Sequence, residues 1–195
     1  MKLEPNILES QNEEEFVELL QIFKNLSPAA VIEIGSLYGW SLKHWMFNSI
    51  DGAEILSIDY PVRDFCGPAD PRAVVQDRIK KEEWPQWSRD SRTKLYYIEG
   101  RSQDARVVEK AIGMFPSGVD FLFIDGDHSF EGVKQDYLLY SQLVKQGGVI
   151  ALHDIAENEP GGVHNFWTQL KELTPHYKEI KHDPKKEKGI GVIFV

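Results

Sequence analysis

Cysteine is nearly absent from this 195-residue chain: Cys66 stands alone, so neither an internal disulfide nor a cysteine-based zinc site can form. The start of the sequence has no apolar signal core, and no hydrophobic run approaches the length needed to cross a bilayer. Basic residues are outnumbered, 22 against 31 acidic ones, which argues against a nucleic-acid partner. These absences predict a soluble, cytoplasmic protein that acts without a membrane.

Composition fits a single globular domain. Charged residues make up 27% of the chain and hydrophobic residues 42%, and no repeat, low-complexity stretch or linker divides the sequence. We therefore expect residues 1–195 to form one domain, and the sequence leaves a homo-oligomer open.

Short apolar runs alternate with helical patterns along the chain. The apolar runs predict strands over residues 30–34, 54–59, 95–98, 119–124 and 149–152. Helical spacing predicts helices over residues 12–26, 41–49, 103–114, 131–144 and 163–173. Residues 176–180 and 190–195 could pair as a closing antiparallel hairpin with Lys185–Lys188 at its tip, and Gly147 with Gly148 would end the fourth helix. Strands that are apolar throughout predict an α/β fold with a mainly parallel sheet and helices on both faces.

Residues 60–93 interrupt this alternation. They contain four prolines and only one predicted helix, over residues 71–81. Phe65, Trp84 and Trp87 either form a lid over an acceptor or pack the insertion down as a hydrophobic cluster. We expect this insertion to cover the acceptor site.

Polar residues follow the predicted strands. They are Glu33 to Gly39, Asp59, Glu99 to Asp104, Asp125 to His128, and the pair His153 and Asp154. Because ligands of α/β sheets bind beyond the carboxyl ends of the strands, we expect these clusters to converge on one ligand site.

The turn after the first strand reads Glu-Ile-Gly-Ser-Leu-Tyr-Gly, from Glu33 to Gly39. Its spacing is not Gly-x-Gly-x-x-Gly, which disfavours a nicotinamide dinucleotide, and it is not a phosphate loop. Asp59 lies 24 residues after Gly35, where a carboxylate can accept hydrogen bonds from both ribose hydroxyls.

Together these segments resemble the class I S-adenosylmethionine-dependent methyltransferases. Residues 31–41 resemble their first motif, Ile58-Asp59 the acidic end of their second strand, and residues 148–150 the run into their fifth strand. The segment Ile124–Val133, with its Asp-Gly-Asp-His-Ser core, resembles the small-molecule O-methyltransferase branch related to macrocin-type and novobiocin-type enzymes and cephalosporin hydroxylase-like proteins. The resemblance implies a Rossmann-like, doubly wound, seven-stranded sheet and S-adenosyl-L-methionine as cofactor.

The resemblance also assigns cofactor contacts. It implies Glu33 near the methionine ammonium group, Asp59 on the ribose, and Ser102 with Gln103 beside the adenine. Ser102, considered alone, is also suited to cap the helix that follows it. The remaining implied contacts are Gly35, Ser36, Tyr38, Gly39, Ser41 and Asp125.

Carboxylates that converge in a cleft repel one another unless a cation or a shared proton intervenes. The related O-methyltransferases place a divalent metal on positions that correspond here to Asp125, His153 and Asp154. His153 departs from the all-oxygen ligand pattern of these enzymes. This counts against magnesium and leaves manganese, iron or no metal open.

Methyl transfer requires a base for the acceptor hydroxyl, and the candidates are Asp127 and His128. Asp127 could instead cap the next helix, and His128 could be structural. The predicted function is O-methylation of a small molecule such as a sugar or an aromatic compound, with metal assistance open. The alternatives are a non-catalytic or differently reacting protein that binds S-adenosylmethionine and, on weaker grounds, a nicotinamide-dependent oxidoreductase.

Overall fold

A computed structural model of the chain describes residues 13–156, 162–181 and 188–195. Its centre is a seven-stranded sheet in the order β3-β2-β1-β4-β5-β7-β6. The strands are β1 (Ala30–Ile34), β2 (Glu54–Asp59), β3 (Lys94–Glu99), β4 (Val119–Ile124), β5 (Val144–His153), β6 (Tyr177–Ile180) and β7 (Ile190–Phe194). Strands β1 to β5 pair in parallel, and β7 runs antiparallel to both β5 and β6.

Eight helices accompany the sheet in the described part of the chain. They are α1 (Glu13–Leu26), α2 (Trp40–Asn48), α3 (Val62–Cys66), α4 (Pro71–Glu82), α5 (Trp84–Ser91), α6 (Ala105–Met114), α7 (Phe130–Tyr140) and α8 (Val163–Leu173). Helices α6 to α8 pack on one face of the sheet, and α1, α2, α4 and α5 on the other. The two hydrophobic layers explain why β1 is buried along its whole length.

This architecture confirms the predicted Rossmann-like fold, including the closing hairpin of β6 and β7. The expected hairpin tip lies outside the described residues except for Lys188, as does Asn12, the first residue expected in α1. Among the described residues, no helix is both long and apolar enough to cross a membrane.

Two predictions about local structure are wrong. The helix expected over residues 131–144 ends at Tyr140, and a short 3-10 turn follows it. Gly147 and Gly148 lie inside β5, because β5 begins at Val144, and the pairing of β4 with β5 shifts register between Val119 and Phe121. A Cβ on Gly148 would lie 2.9 Å from the carbonyl oxygen of Asp120, so the glycine permits close strand approach and does not end a helix.

The insertion is also more regular than expected, since it contains the three helices α3, α4 and α5 and not one. Asp70 begins α4 as its N-cap, with its side chain accepting a hydrogen bond from the backbone of Arg72, and Pro71 occupies the first turn. Of the three, periodicity indicated only α4, because α3 and α5 are five and eight residues long and too short to show a clear helical pattern.

Candidate active site

A cavity of about 510 Å³ opens at the carboxyl ends of the central strands. Most of the polar residues singled out in the sequence line it: Gly35, Ser36, Tyr38, Ser41, Asp59, Ser102, Gln103, Asp125, Asp127, His128, His153 and Asp154. The expected convergence on one edge of the sheet is therefore present. Two candidate cofactor residues, Glu33 and Gly39, do not line the cavity.

The β1–α2 connection passes very close to the end of β4. Gly35 has a φ of +85°, and a Cβ at this position would lie 2.0 Å from the carbonyl oxygen of Asp125. Only glycine adopts this positive φ without strain and has no Cβ to collide with the backbone of Asp125. The turn therefore brings its backbone against the Asp125 segment and forms the floor of the cavity.

Glu33 lies fully buried beneath this turn. One oxygen accepts hydrogen bonds from Ser41 Oγ (2.5 Å) and Trp45 Nε1 (3.0 Å), and the other accepts one from Ser36 Oγ (2.6 Å). Burial raises the pKa of Glu33 to about 7, although the three donors partly oppose the increase. In this arrangement Glu33 holds two serines that themselves line the cavity.

Asp59 is held from three sides at the end of β2. Its Oδ1 accepts a hydrogen bond from the backbone of Leu37 (3.2 Å), and its Oδ2 lies 2.8 Å from both Gln76 Nε2 and Lys80 Nζ. Gln76 also donates to the carbonyl oxygen of Leu37 and accepts a hydrogen bond from the backbone of Val62. Neither Gln76 nor Lys80 was among the site residues predicted from the sequence. Their spacing of four residues on the predicted helix, which places them on one face, was the available signal.

Ser102 and Gln103 line another wall, and both donate hydrogen bonds to Asp136 on α7. Ser102 is not a helix cap, because the N-cap position of α6 is Asp104. Asp136 was missed as well. It shares the buried face of α7 with Val133 and Tyr140, and an acidic residue at apolar helical spacing was the signal.

Two carboxylates and two imidazoles form a cluster at the ends of β4 and β5. His128 Nε2 lies 3.4 Å from Asp125 Oδ1, and His128 Nδ1 lies 3.1 Å from Asp154 Oδ2. His153 Nδ1 lies 3.0 Å from Asp154 Oδ1 and 3.3 Å from Asp125 Oδ1, as an ion-pair contact without hydrogen-bond geometry. Asp154 has a φ of +59°, a strained conformation of the kind that clusters at functional sites.

The pKa values in this cluster move in opposite directions. Burial alone would raise the pKa of Asp125, but His153 and His128 hold it well below its usual value. Burial alone would lower the pKa of His153, whereas Asp125 and Asp154 raise it to about 10. The two carboxylates are therefore surrounded by His128 and His153, and Lys188 Nζ lies 3.8 Å from Asp154 Oδ1.

One oxygen or nitrogen from each of Asp125, His128 and Asp154 can lie within 4.8 Å of the others, which is close enough to share a metal ion. His153, the expected third ligand, is not part of this trio. The side chain of His153 is only 2% exposed and contacts the carboxylates of Asp125 and Asp154. The donor set of two carboxylates and an imidazole fits a divalent transition metal such as manganese or iron better than magnesium, which prefers oxygen ligands alone.

Asp127 is exposed at the mouth of the cavity. Its Oδ1 accepts a hydrogen bond from the backbone of Ser129 (2.9 Å), while Ser129 itself is the N-cap of α7 and accepts one from Gly132. The capping role considered for Asp127 thus belongs to Ser129, and Asp127 lines the cavity with its Oδ2 close to Gly132, where a Cβ would lie 2.5 Å away.

The aromatic residues of the insertion divide into two groups. Trp84 is buried, donates a hydrogen bond to the carbonyl oxygen of Tyr38, and would lie 2.5 Å from a Cβ on Gly39. Phe65 is 59% exposed, lines the cavity and stacks on Tyr60 with ring centres 6.0 Å apart. Trp84 therefore packs the insertion down, and Phe65 forms part of the rim.

Comparison with known proteins gives two sequence matches. A family model described as a methyltransferase domain matches residues 32–155. An uncharacterized protein of Acanthamoeba polyphaga mimivirus is 49% identical over 124 residues, which are 63% of this chain and 50% of that protein. The chain therefore spans about half the length of this curated relative.

Similar solved structures share the fold at low sequence identity. An O-methyltransferase from Bacillus cereus in complex with SAH has a TM-score of 0.62 at 14% identity, covering 97% of this chain and 84% of that one. An O-methyltransferase from Streptomyces achromogenes involved in tomaymycin synthesis, in complex with SAM, has a TM-score of 0.60 at 14% identity, covering 95% and 81%. A putative caffeoyl-CoA O-methyltransferase from Staphylococcus aureus has a TM-score of 0.62 at 15% identity, covering 98% and 86%.

Proposed function

The chain belongs to the methyltransferase-domain family, and from that premise we propose that it transfers the methyl group of S-adenosylmethionine to a hydroxyl group of a small molecule. The observation that carries this proposal is the cavity, which brings the turn at Gly35 and Asp59 together with Asp127 and the cluster around Asp125 in one space of about 510 Å³.

In this proposal the cofactor binds along the ends of β1, β2 and β3. The turn from Gly35 to Gly39 lies against the methionine portion, Asp59 binds the ribose through Oδ1, and Ser102 with Gln103 lies beside the adenine. Glu33 supports the turn from beneath through Ser36 and Ser41 and does not itself touch the cofactor.

The reaction is a direct displacement. The acceptor oxygen attacks the methyl carbon, the carbon–sulfur bond breaks, and S-adenosylhomocysteine leaves. We assign Asp127 as the group that takes the hydroxyl proton, because it lines the cavity and is exposed at its mouth. His128 is less suited, since each of its ring nitrogens already contacts a carboxylate.

A divalent metal, if the enzyme uses one, would be held by Asp125, His128 and Asp154. Such an ion lowers the pKa of a bound hydroxyl and orients it. Without it, the two carboxylates are paired with His128, His153 and Lys188. His153 fits a supporting role in both cases, because it contacts two of these carboxylates from the buried side.

The acceptor in this proposal is a sugar or an aromatic compound that enters between the Asp127 side of the cavity and the rim of the insertion. The exposed ring of Phe65 and the neighbouring ring of Tyr60 support this class, since flat groups bind aromatic faces well.

The test is calorimetric titration of metal-stripped protein with S-adenosylmethionine, S-adenosylhomocysteine and NAD, repeated with manganese and with magnesium. The proposal predicts micromolar binding of both sulfur compounds and none of NAD. A heat of manganese binding that disappears in Asp154→Asn would support the metal trio. If neither sulfur compound binds under any metal condition, the proposed function is wrong.

A further inference from the structure

The carboxylate of Asp136 lies behind the cavity wall that Ser102 and Gln103 form, and it contacts both of these residues. Oδ1 of Asp136 lies 2.6 Å from Ser102 Oγ and 2.7 Å from Gln103 Nε2, and it accepts a hydrogen bond from each. Asp136 is fully buried on α7 and does not line the cavity, whereas Ser102 and Gln103 do. A residue behind the wall therefore determines how two side chains in the wall are oriented.

The chemistry of a carboxylate fixes that orientation. An ionised carboxylate has no proton to donate, so Gln103 must direct its NH2 group toward Asp136 and its carbonyl oxygen to the other side of the amide. No hydrogen bond from the described residues reaches Oε1 of Gln103. Ser102 has its only hydroxyl hydrogen engaged and retains lone pairs. This wall is thus rich in acceptors.

Helix α7 holds the backbone of this wall as well as its side chains. Tyr140, one turn after Asp136, donates a hydrogen bond from its hydroxyl to the carbonyl oxygen of Ser102 (2.7 Å). Both residues lie on the buried face of α7. The two anchors prevent the wall from turning to present different atoms.

The buried carboxylate of Asp136 lowers the stability of the fold, and an apolar residue at the same position would not. Burial raises the pKa of Asp136 to about 6, against the opposing hydrogen bond from Ser102, and Oδ2 has no hydrogen-bond partner among the described residues. A buried carboxylate with an unmatched oxygen destabilises a fold compared with an apolar residue of similar size. Its presence behind a ligand-facing wall therefore favours a role in binding.

We propose that Asp136 is a positioning residue that makes this wall accept hydrogen bonds, and that it thereby selects a base with an amino group over a base with a carbonyl group at the same position. This inference rests on the proposed function, in which Ser102 and Gln103 lie beside the adenine. The 6-amino group of adenine donates to such a wall. A 6-oxo group leaves the acceptors of the wall without a hydrogen, and sites with unpaired polar atoms reject such analogues.

The experiment compares S-adenosylhomocysteine with S-inosylhomocysteine, in which a 6-oxo group replaces the 6-amino group and N1 carries a hydrogen. Calorimetric dissociation constants are measured for the wild-type chain and for Asp136→Ala and Gln103→Met. We expect the wild type to bind the adenosine compound at least about tenfold more tightly. Both variants should reduce that preference to within about threefold, since Gln103 is then either free to turn or absent.

Asp120→Ala is the matched control. Asp120 is a partly buried carboxylate at the start of β4 that accepts hydrogen bonds from the backbones of Ala29 and Ala30, away from the cavity. Its loss should lower stability and leave the ratio of the two dissociation constants unchanged. The ratio of the two dissociation constants thus distinguishes a loss of ligand selectivity from a loss of stability.

A ratio that stays at the wild-type value in Asp136→Ala, even if both ligands bind more weakly, would overturn the inference and leave Asp136 with a structural role. If Asp136→Ala does not fold, the near-isosteric Asp136→Asn takes its place, because an amide that presents its NH2 group allows Gln103 to turn, and an unchanged ratio in that variant would overturn the inference. Wild-type protein that binds S-adenosylhomocysteine without preference overturns this inference alone. Wild-type protein that binds neither compound overturns the proposed function too.

Discussion

Lys80 forms a buried ion pair with Asp59, with Nζ 2.8 Å from Oδ2 and both side chains only 7% exposed. Lys80 belongs to the insertion and Asp59 to the end of β2, where the ribose is proposed to bind. Nζ of Lys80 also contacts the hydroxyl of Tyr97 on β3. An ion pair therefore holds the insertion against the cofactor side of the cavity, in addition to apolar contacts.

Replacing Lys80 by methionine should destabilise the chain by about 3 kcal/mol, because removing one partner leaves a buried carboxylate without its counter-charge. Adding Asp59→Asn should recover part of the loss, since the charge is then gone. Urea denaturation measures both. Lys81→Met, on the exposed side of the same helix, is the control and should change little. Equal losses for Lys80→Met and Lys81→Met would contradict the importance of the pair.

Gly35→Ala should be far more damaging than Gly52→Ala. Both glycines have similar positive φ values, +85° and +81°, but a Cβ at position 35 meets the backbone of Asp125, while one at position 52 meets open space. We expect Gly52→Ala to cost roughly 1 kcal/mol from backbone strain alone. Gly35→Ala should cost at least about 3 kcal/mol and abolish binding of S-adenosylhomocysteine. Thermal unfolding and calorimetry check this pair, and similar losses in both would refute the close approach.

Stability should depend on pH through Glu33. Its pKa is about 7 in the folded chain, against the ordinary value of 4.5 for a solvated glutamate, so folding retains a proton that the unfolded chain releases. This stabilisation is complete below pH 4.5, declines as pH rises to about 7, and is absent above that.

Glu33→Gln removes this dependence, because an amide can accept from Ser41 and Trp45 and donate to Ser36. Relative to the wild type, the variant should therefore gain about 3 kcal/mol between about pH 4.5 and about pH 8. Urea denaturation across this range measures the difference, with the exposed Glu109→Gln as control. A constant difference between Glu33→Gln and the wild type would show that Glu33 is ionised throughout.

Asp127→Asn should reduce methyl transfer by about 10² to 10⁴-fold while leaving the affinity for S-adenosylhomocysteine unchanged. The amide keeps the hydrogen bond from Ser129 but is a poor base. Transfer from methyl-labelled S-adenosylmethionine to a panel of sugars and phenols provides the rate. If His128→Asn loses activity and Asp127→Asn does not, the base has been assigned to the wrong residue.

The order of strands and helices could be predicted because each strand is a continuous apolar run and each major helix has its own periodicity. The convergence of Asp59, Asp125 and Asp154 followed from topology, since parallel strands end at one edge. Local signals failed at Gly147 and Gly148, because this glycine pair resembles a helix stop but lies inside β5, where Gly148 permits close packing of β5 on β4.

The partners of the site residues could not be predicted in the same way. Glu33 is the first motif's acidic residue, yet its oxygens are taken by Ser36, Ser41 and Trp45 and do not reach the cavity. Asp136 contacts Ser102 across 34 residues of sequence. Such pairings depend on how α7 and the insertion pack on the sheet, which periodicity does not encode.

The most direct test of the central claim is an amide NMR titration of the isotope-labelled chain with S-adenosylhomocysteine. We expect saturable shifts confined to the loops that follow β1, β2, β3 and β4, including the amides of Gly35, Ser36, Gln103 and Gly126. Saturable shifts elsewhere, or none at millimolar ligand, would show that this cavity is not the cofactor site.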